Sequence, residues 1–263
     1  MNTRRGHWAK RGKAATIACG LAAILLTAAS SDEAHAGPKP RAYYESTGEV
    51  IWEVPVGEKA IALTFDDGPD PKDTPQILDL LREYDAKATF FIMGRKAREH
   101  PEIVKREALE GHEIANHTFT HPVLVRCSTK QIRKEIEDTQ EILTSAAGVR
   151  PVLFRPPEGF FDSRVLEISK QQGLKTVLWS WHHPTDDWSR PGVGHIVRGA
   201  LGDVRNGDII LFHDYVHGPT QTIAALRQIL PKLAKDGYRF VTVSELLRGK
   251  AQENQAERMG ATK

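Results

Sequence analysis

The sequence predicts an α/β domain built on parallel strands, and three observations carry that expectation. Short apolar runs alternate with longer helical patterns through seven β–α repeats. Glycines follow several helical stretches just before the next run, at Gly111, Gly148, Gly173 and Gly237, as helix ends commonly require. Five of the runs finish in polar residues able to do chemistry. Such alternation builds a parallel sheet, either closed into a barrel or open and doubly wound; periodicity does not choose between them.

Residues 1–36 read as an export signal. Arg4, Arg5, Lys10, Arg11 and Lys13 precede an apolar stretch from Ala14 to Ala29, and Ala34-His35-Ala36 offers small residues around a cleavage point. That stretch is short for a spanning helix, which favours a cleaved signal over an uncleaved anchor. Residues 37–58 are polar and punctuated by proline, a lead-in segment draped over the domain. The domain itself spans 59–248, and the polar tail 249–263 is expected to be loose.

The expected strands are Ala60–Phe65, Ala88–Met93, His112–Ala115, Val152–Phe154, Thr176–Trp179, Asp208–Phe212 and Arg239–Val243. Helical patterns cover Thr74–Tyr84, Thr129–Ala147, Ser163–Gln172 and Thr220–Lys235. Ser128 or Thr129 before Gln131 supplies a capping signal.

Composition is that of an ordinary globular protein, 40% hydrophobic and 27% charged. Of 36 basic and 34 acidic residues, five and two lie in 1–36, leaving 31 and 32 and a net charge of −1. That balance speaks against nucleic-acid or membrane-surface binding. Cys19 would leave with the signal, so Cys127 remains without a disulfide partner and is expected to be buried and inert.

In parallel α/β folds the strand C-termini share one end, where loops build the active site. The candidate residues fall at those ends. Asp66-Asp67-Gly68-Pro69 places adjacent carboxylates, which repel unless a cation or a base role compensates. His117 and His121, four apart, suit one metal if they share a helical turn, and with a carboxylate they make a two-His-one-carboxylate set. Arg155-Pro156-Pro157-Glu158 fixes an arginine able to orient a carboxylate. His213, just past a buried run, suits a general acid.

Together these segments resemble the polysaccharide deacetylases with the NodB homology domain, carbohydrate esterase family 4, over roughly Lys59 to Leu247. The resemblance implies a distorted (β/α) barrel of about seven parallel strands and metal-dependent hydrolysis of acetyl groups from an N-acetylglucosamine-containing glycan. It makes Asp66 the general base, with Asp67, His117 and His121 the metal ligands. Arg155 would orient Asp66, and Asp187 would tune His213, the acid that protonates the departing amine. Trp188 and Leu211 would line the acetyl pocket, and the backbone N–H after Pro156-Pro157, at Glu158, would help hold the oxyanion. The implied cofactor is a divalent ion, zinc fitting the ligands and cobalt suiting the same set. The implied partner is an acetylated glycan such as peptidoglycan, chitin or chitooligosaccharide; no protein partner is implied, and a monomer is expected.

Two departures stand out. Glu158 occupies a place often aromatic in the family, and Trp179 to Trp188 is longer than usual, leaving Asp186 and Asp187 as rivals for the tuning role, of which the adjacent Trp188 favours Asp187. An O-acetyl esterase acting on xylan shares the fold and motifs. A glycan-binding protein with a dead site is the reading from another class, and the occupied catalytic positions speak against it.

Overall fold

The computed structural model describes residues 39–260; the expected export segment and Cys19 lie outside them. All seven expected strands are present: β2 (Ala60–Asp66), β3 (Ala88–Ile92), β4 (Glu113–Asn116), β5 (Leu153–Phe154), β6 (Lys175–Val177), β7 (Ile209–His213) and β8 (Arg239–Phe240). The segment 37–58 adds a helix, α1 (Arg41–Thr47), and a strand, β1 (Val50–Ile51). The sheet runs β1-β6-β5-β4-β3-β2-β7, with β8 pairing the start of β2, and every pair is parallel.

Strand parity divides the core. Ile61, Leu63 and Phe65 of β2, Phe90 of β3, and Ile210 and Phe212 of β7 pack outward on helical side chains such as Ile77, Leu81, Val104, Leu226 and Ile229. The alternate set, Ala60, Ala62, Phe91, Ala115, Leu153, Val177 and Ile209, fills the inside. Successive strand residues face opposite sides, so Thr64, Asp66 and His213 fall on the inner side. The α-helices between β2 and β8 are α2 (Thr74–Glu83), α3 (Gly94–Glu99), α4 (Pro101–Leu109), α5 (Thr129–Ala147), α6 (Ser163–Gln171), α7 (Val193–Leu201) and α8 (Thr222–Lys235). The capping box expected at α5 forms between Ser128 and Gln131.

The ring is a barrel closed unconventionally, which is why it is distorted. Beyond β7, among the described residues, no regular strand pairs; Ser180 to Asp187 climbs alongside it instead. Ser180 N–H donates to Ile209 O at 2.9 Å, Thr185 Oγ1 to Leu211 O at 2.7 Å, and His213 N–H to the Asp187 carboxylate at 2.8 Å. At the base, Val54 N–H donates to Gly207 O at 2.9 Å, joining the run beyond β1 to the approach to β7.

The expectation of a loose tail from residue 249 is corrected. One helix, α9, runs Val243–Gly260. Glu253 accepts from Gly57 N–H at 2.7 Å, and Val243 and Leu246 plug the inner core. The polar residues that suggested disorder form the solvent face of a helix whose apolar first turn is anchored. Cys127 is half-buried rather than enclosed. Among the described residues no helix is long and apolar enough to cross a membrane.

Gly207 has a φ of 90°, and a Cβ there would lie 1.8 Å from Val54 O. Gly207→Ala should therefore destabilise the fold by about 1–3 kcal/mol, the cost of overpacking. Urea unfolding should show it as a lowered midpoint with an unchanged slope.

Candidate active site

The C-terminal ends of β2, β4, β5 and β7 bring together six residues expected from the sequence: Asp66, Asp67, His117, His121, Arg155 and His213. Asp66 ends β2 and is the direct register partner of His213 on β7. Arg155 follows β5 and is fully buried. Its Nη1 donates to Asp66 Oδ1 at 2.6 Å and to Thr64 Oγ1 at 3.0 Å, while Nε and Nη2 donate to the carbonyls of Val177 and Leu178. Phe91 lies under the guanidinium, 3.9 Å from it. One oxygen of Asp66 is thus pinned, and Oδ2 lies 3.7 Å from His117 Nε2.

Asp67 turns away from the strand with a φ of 74°, a conformation unusual for a residue with a side chain. Its Oδ1 comes 3.4 Å from His117 Nε2 and 3.3 Å from His121 Nε2, and has no hydrogen-bond partner among the described residues. Burial pushes the Asp67 carboxyl up, but His117, His213 and His121 outweigh that and leave it below the ordinary carboxylate range. His117 Nδ1 lies 2.7 Å from Arg155 O and so carries the proton, leaving Nε2 as a lone pair. An orphaned carboxylate oxygen facing two ring nitrogens fits a divalent ion. Ligand separations of about 3.3–3.5 Å follow from a tetrahedral set with bonds of about 2.0–2.2 Å.

The expected helical turn for His117 and His121 is not there. They stand on an irregular loop in which Thr118 (φ 65°) and His121 (φ 60°) are left-handed. Glu135 of α5 holds the loop, accepting from Phe119 N–H, Thr120 N–H and Thr120 Oγ1 at 2.9, 2.7 and 2.7 Å. Asn116 Oδ1 accepts from Thr118 N–H, and its amide donates to Ile136 O and Gln140 on α5. A loop tied to a helix brings the two imidazoles within 5.0 Å, centroid to centroid, without helical spacing.

Asp187, not Asp186, meets His213. His213 Nδ1–H donates to Asp187 Oδ1 at 2.7 Å, and Asp187 Oδ2 accepts from His213 N–H and Thr222 Oγ1. Asp186 instead faces His195 Nε2 at 3.2 Å, on the surface. Burial pulls the His213 pKa down, but Asp187 first, then Asp66 and Asp67, raise it to about 9.

Trp188 is 63% exposed and lines a depression of about 370 Å³ with Asp67, Met93, Lys96, His121 and Tyr215. Leu211 stands on the inner side of β7, in register with Thr64. Pro157 is buried, and Glu158 is exposed on a tight turn with a φ of 57°.

Sequence reasoning missed Glu135, Gln140, Thr222 and Asp214. Asp214 sits beneath Gly68, where a Cβ would come 1.9 Å from its Oδ2. Burial pushes its carboxyl up to about 7, Thr74 and Lys96 opposing. The Asp-Gly pairing of Asp67-Gly68 was a visible signal for that close approach; Glu135 had none, being one acid among many on α5.

The sequence pattern of the polysaccharide deacetylase family matches residues 53–177. A peptidoglycan-N-acetylglucosamine deacetylase of Bacillus cereus is 50% identical over 206 residues, covering 78% of this chain and 96% of the relative. The chain belongs to the polysaccharide deacetylase family. Among solved structures, the Bc1960 peptidoglycan N-acetylglucosamine deacetylase, in complex with 4-naphthalen-1-yl-N-oxidanyl-benzamide, superposes with a TM-score of 0.75 at 37% identity, covering 80% of this chain and 97% of that one. A family 4 acetyl xylan esterase of Clostridium thermocellum, in complex with a cobalt ion, matches with a TM-score of 0.68 at 36% identity, covering 72% and 91%. This family member is a deacetylating hydrolase that uses a divalent metal.

Groups that orient metal ligands typically contribute about 10–100-fold in affinity. Glu135→Ala should therefore weaken metal binding by about 10–100-fold. Titration of the chelator-stripped protein measures it, and unchanged affinity would show that the loop holds its shape without Glu135.

Proposed function

We propose that this deacetylase removes N-acetyl groups from the N-acetylglucosamine of peptidoglycan outside the cytoplasm, using zinc. The observation that carries the reading is the placement of Asp66 and His213 as register partners beside the Asp67, His117 and His121 set. The peptidoglycan activity named for the Bacillus cereus relative supports the substrate, and the basic and apolar stretch of residues 1–36 supports export. Chitin and chitooligosaccharide offer the same acetamide.

Asp67, His117 and His121 would hold the ion, which when bound supplies a Lewis acid that polarises the acyl oxygen and acidifies water. Asp66, with one oxygen held by Arg155, uses Oδ2 as the base that takes a proton from the attacking water. The Glu158 N–H, set on a stiff Pro-Pro turn, helps carry the negative charge that develops on the acyl oxygen. His213, fixed through Nδ1 by Asp187, presents Nε2 to the leaving nitrogen and gives it a proton. Acetate departs, and the sugar keeps a free amine. Trp188 and Leu211 wall the acetyl group away from water.

The rival reading, O-deacetylation of xylan, is favoured by the match to the acetyl xylan esterase. Acetate release from peptidoglycan, chitooligosaccharide and acetylated xylan, each with and without chelator, separates the two. Chelator-sensitive release from peptidoglycan exceeding that from xylan is the expected result; the reverse order would overturn the substrate assignment.

Asp66→Asn should retain the ion and lose about 10²–10⁴-fold in kcat, the range for a general base. Retained activity in that variant would displace Asp66 from the role. His213 must be protonated to act, and its raised pKa keeps it so to higher pH. The kcat/KM profile should therefore fall on the alkaline side near pH 9. Asp187→Asn should move that limb to lower pH, and an unmoved limb would show that another group sets it.

A further inference from the structure

The run alongside β7 carries two histidines for which deacetylation has no use. His183 is enclosed, with Nδ1 3.0 Å from Gly199 O and Nε2 2.8 Å from Asp208 Oδ2. Both partners only accept, so a neutral imidazole satisfies one and sets a bare lone pair against the other. His182 Nε2 converges on the same carboxylate, 3.2 Å from both oxygens. The two rings lie 4.4 Å apart, so protonating both would press two cations together beside one carboxylate. Asp208 is fixed from the other side by Arg205 N–H at 2.7 Å.

This arrangement repeats the donor set of the active site: two ring nitrogens and one carboxylate converging, their ligand atoms mutually within 4.8 Å. The tautomer device repeats as well. His117 is anchored through Nδ1 to Arg155 O, and His183 is placed to anchor the same way to Gly199 O. A backbone carbonyl on one nitrogen is how a histidine is made to present the other to a metal. Beside the cluster a depression of about 400 Å³, lined in part by His182, His195 and Asp203, leaves room for water to complete a coordination shell.

We propose that His182, His183 and Asp208 form a second divalent-cation site, suited to zinc, that staples the run from Ser180 to Asp187 to the base of β7. Asp208 precedes the strand and His213 ends it, so at about 3.3 Å per residue they stand about 17 Å apart along β7, and the two clusters would hold separate ions. On loading, the His183–Asp208 contact opens by about 0.5 Å towards tetrahedral spacing. The staple acts on the base of the run whose top carries Asp187, and so steadies the partner of His213. Its role is structural, with no reacting group in reach.

Full-length protein stripped by chelator and titrated calorimetrically with zinc alone should take up two equivalents per chain. His182→Gln, at a half-exposed position, should take up one, Asp67→Asn should take up one, and the double variant none. Zinc should also raise the unfolding midpoint of Asp67→Asn but not that of the double variant, since only a ligand that binds the folded state stabilises it. A wild-type stoichiometry of one that vanishes in Asp67→Asn would overturn the second site, leaving a proton alone between His183 and Asp208. Two equivalents persisting in His182→Gln would overturn it equally. Two equivalents in Asp67→Asn with one in His182→Gln would uphold the second site and unseat Asp67 as a ligand of the first.

Discussion

Arg155 lies wholly inside the barrel, where a cation survives only if it is paired and its donors are met. Its partners are Thr64 and Asp66 of β2 and the carbonyls of Val177 and Leu178 at the end of β6. Breaking a buried pair of this kind typically costs about 3–5 kcal/mol, because the remaining charge is left uncompensated. The same contacts tie three strand ends together and aim the free oxygen of Asp66 towards His117. Structural and chemical demands on this arginine therefore coincide. Its backbone takes part too, since Arg155 O sets the tautomer of His117.

Parity and backbone strain divide the remaining work. Asp66 and His213 face each other across β2 and β7 because both occupy inner positions of parallel strands in register. Asp67 is the next residue and would point outward in a continued strand; its left-handed backbone returns it to the mouth. Thr118 and His121 adopt the same unusual conformation on the opposite loop. Left-handed backbone at residues with side chains costs of order 1–3 kcal/mol each. Here it is offset by hydrogen bonds to Asn116 and Glu135, which belong to β4 and α5 and satisfy the loop amides.

The exposed edge of β7 poses a separate problem, because unpaired strand edges invite association. Residues 180–187 cover it without a regular ladder: Ser180 Oγ and the Asp187 carboxylate accept from the N–H groups of Ile209 and His213, and Ser180 N–H and Thr185 Oγ1 donate to the carbonyls of Ile209 and Leu211. A length of chain recruited to close the barrel thereby delivers Asp187 to His213. The unusual length of the region from Trp179 to Trp188 was visible in the sequence, but its path was not. Trp188 next in sequence favoured Asp187 over Asp186, and the contact of Asp187 with His213 agrees, but the order His-His-Pro-Thr-Asp-Asp does not give the course of the chain.

The sequence alone determined seven of the eight strands, the capping of α5 and which residues converge at the strand ends, because these rest on local periodicity and on groups standing just past apolar runs. It misjudged the residues after 248, where a polar helix face and a loose tail look alike until the contact of Glu253 with Gly57 is seen. Only the tertiary structure decided the barrel's closure, the loop that carries His117 and His121, and the contacts that hold Asp187 against His213. Each of these depends on contacts between residues distant in the chain, such as Glu135 with Thr120 or Thr222 with Asp187. Such pairs leave no periodic trace, since one polar side chain on a helix reads the same whether it meets water or a buried loop.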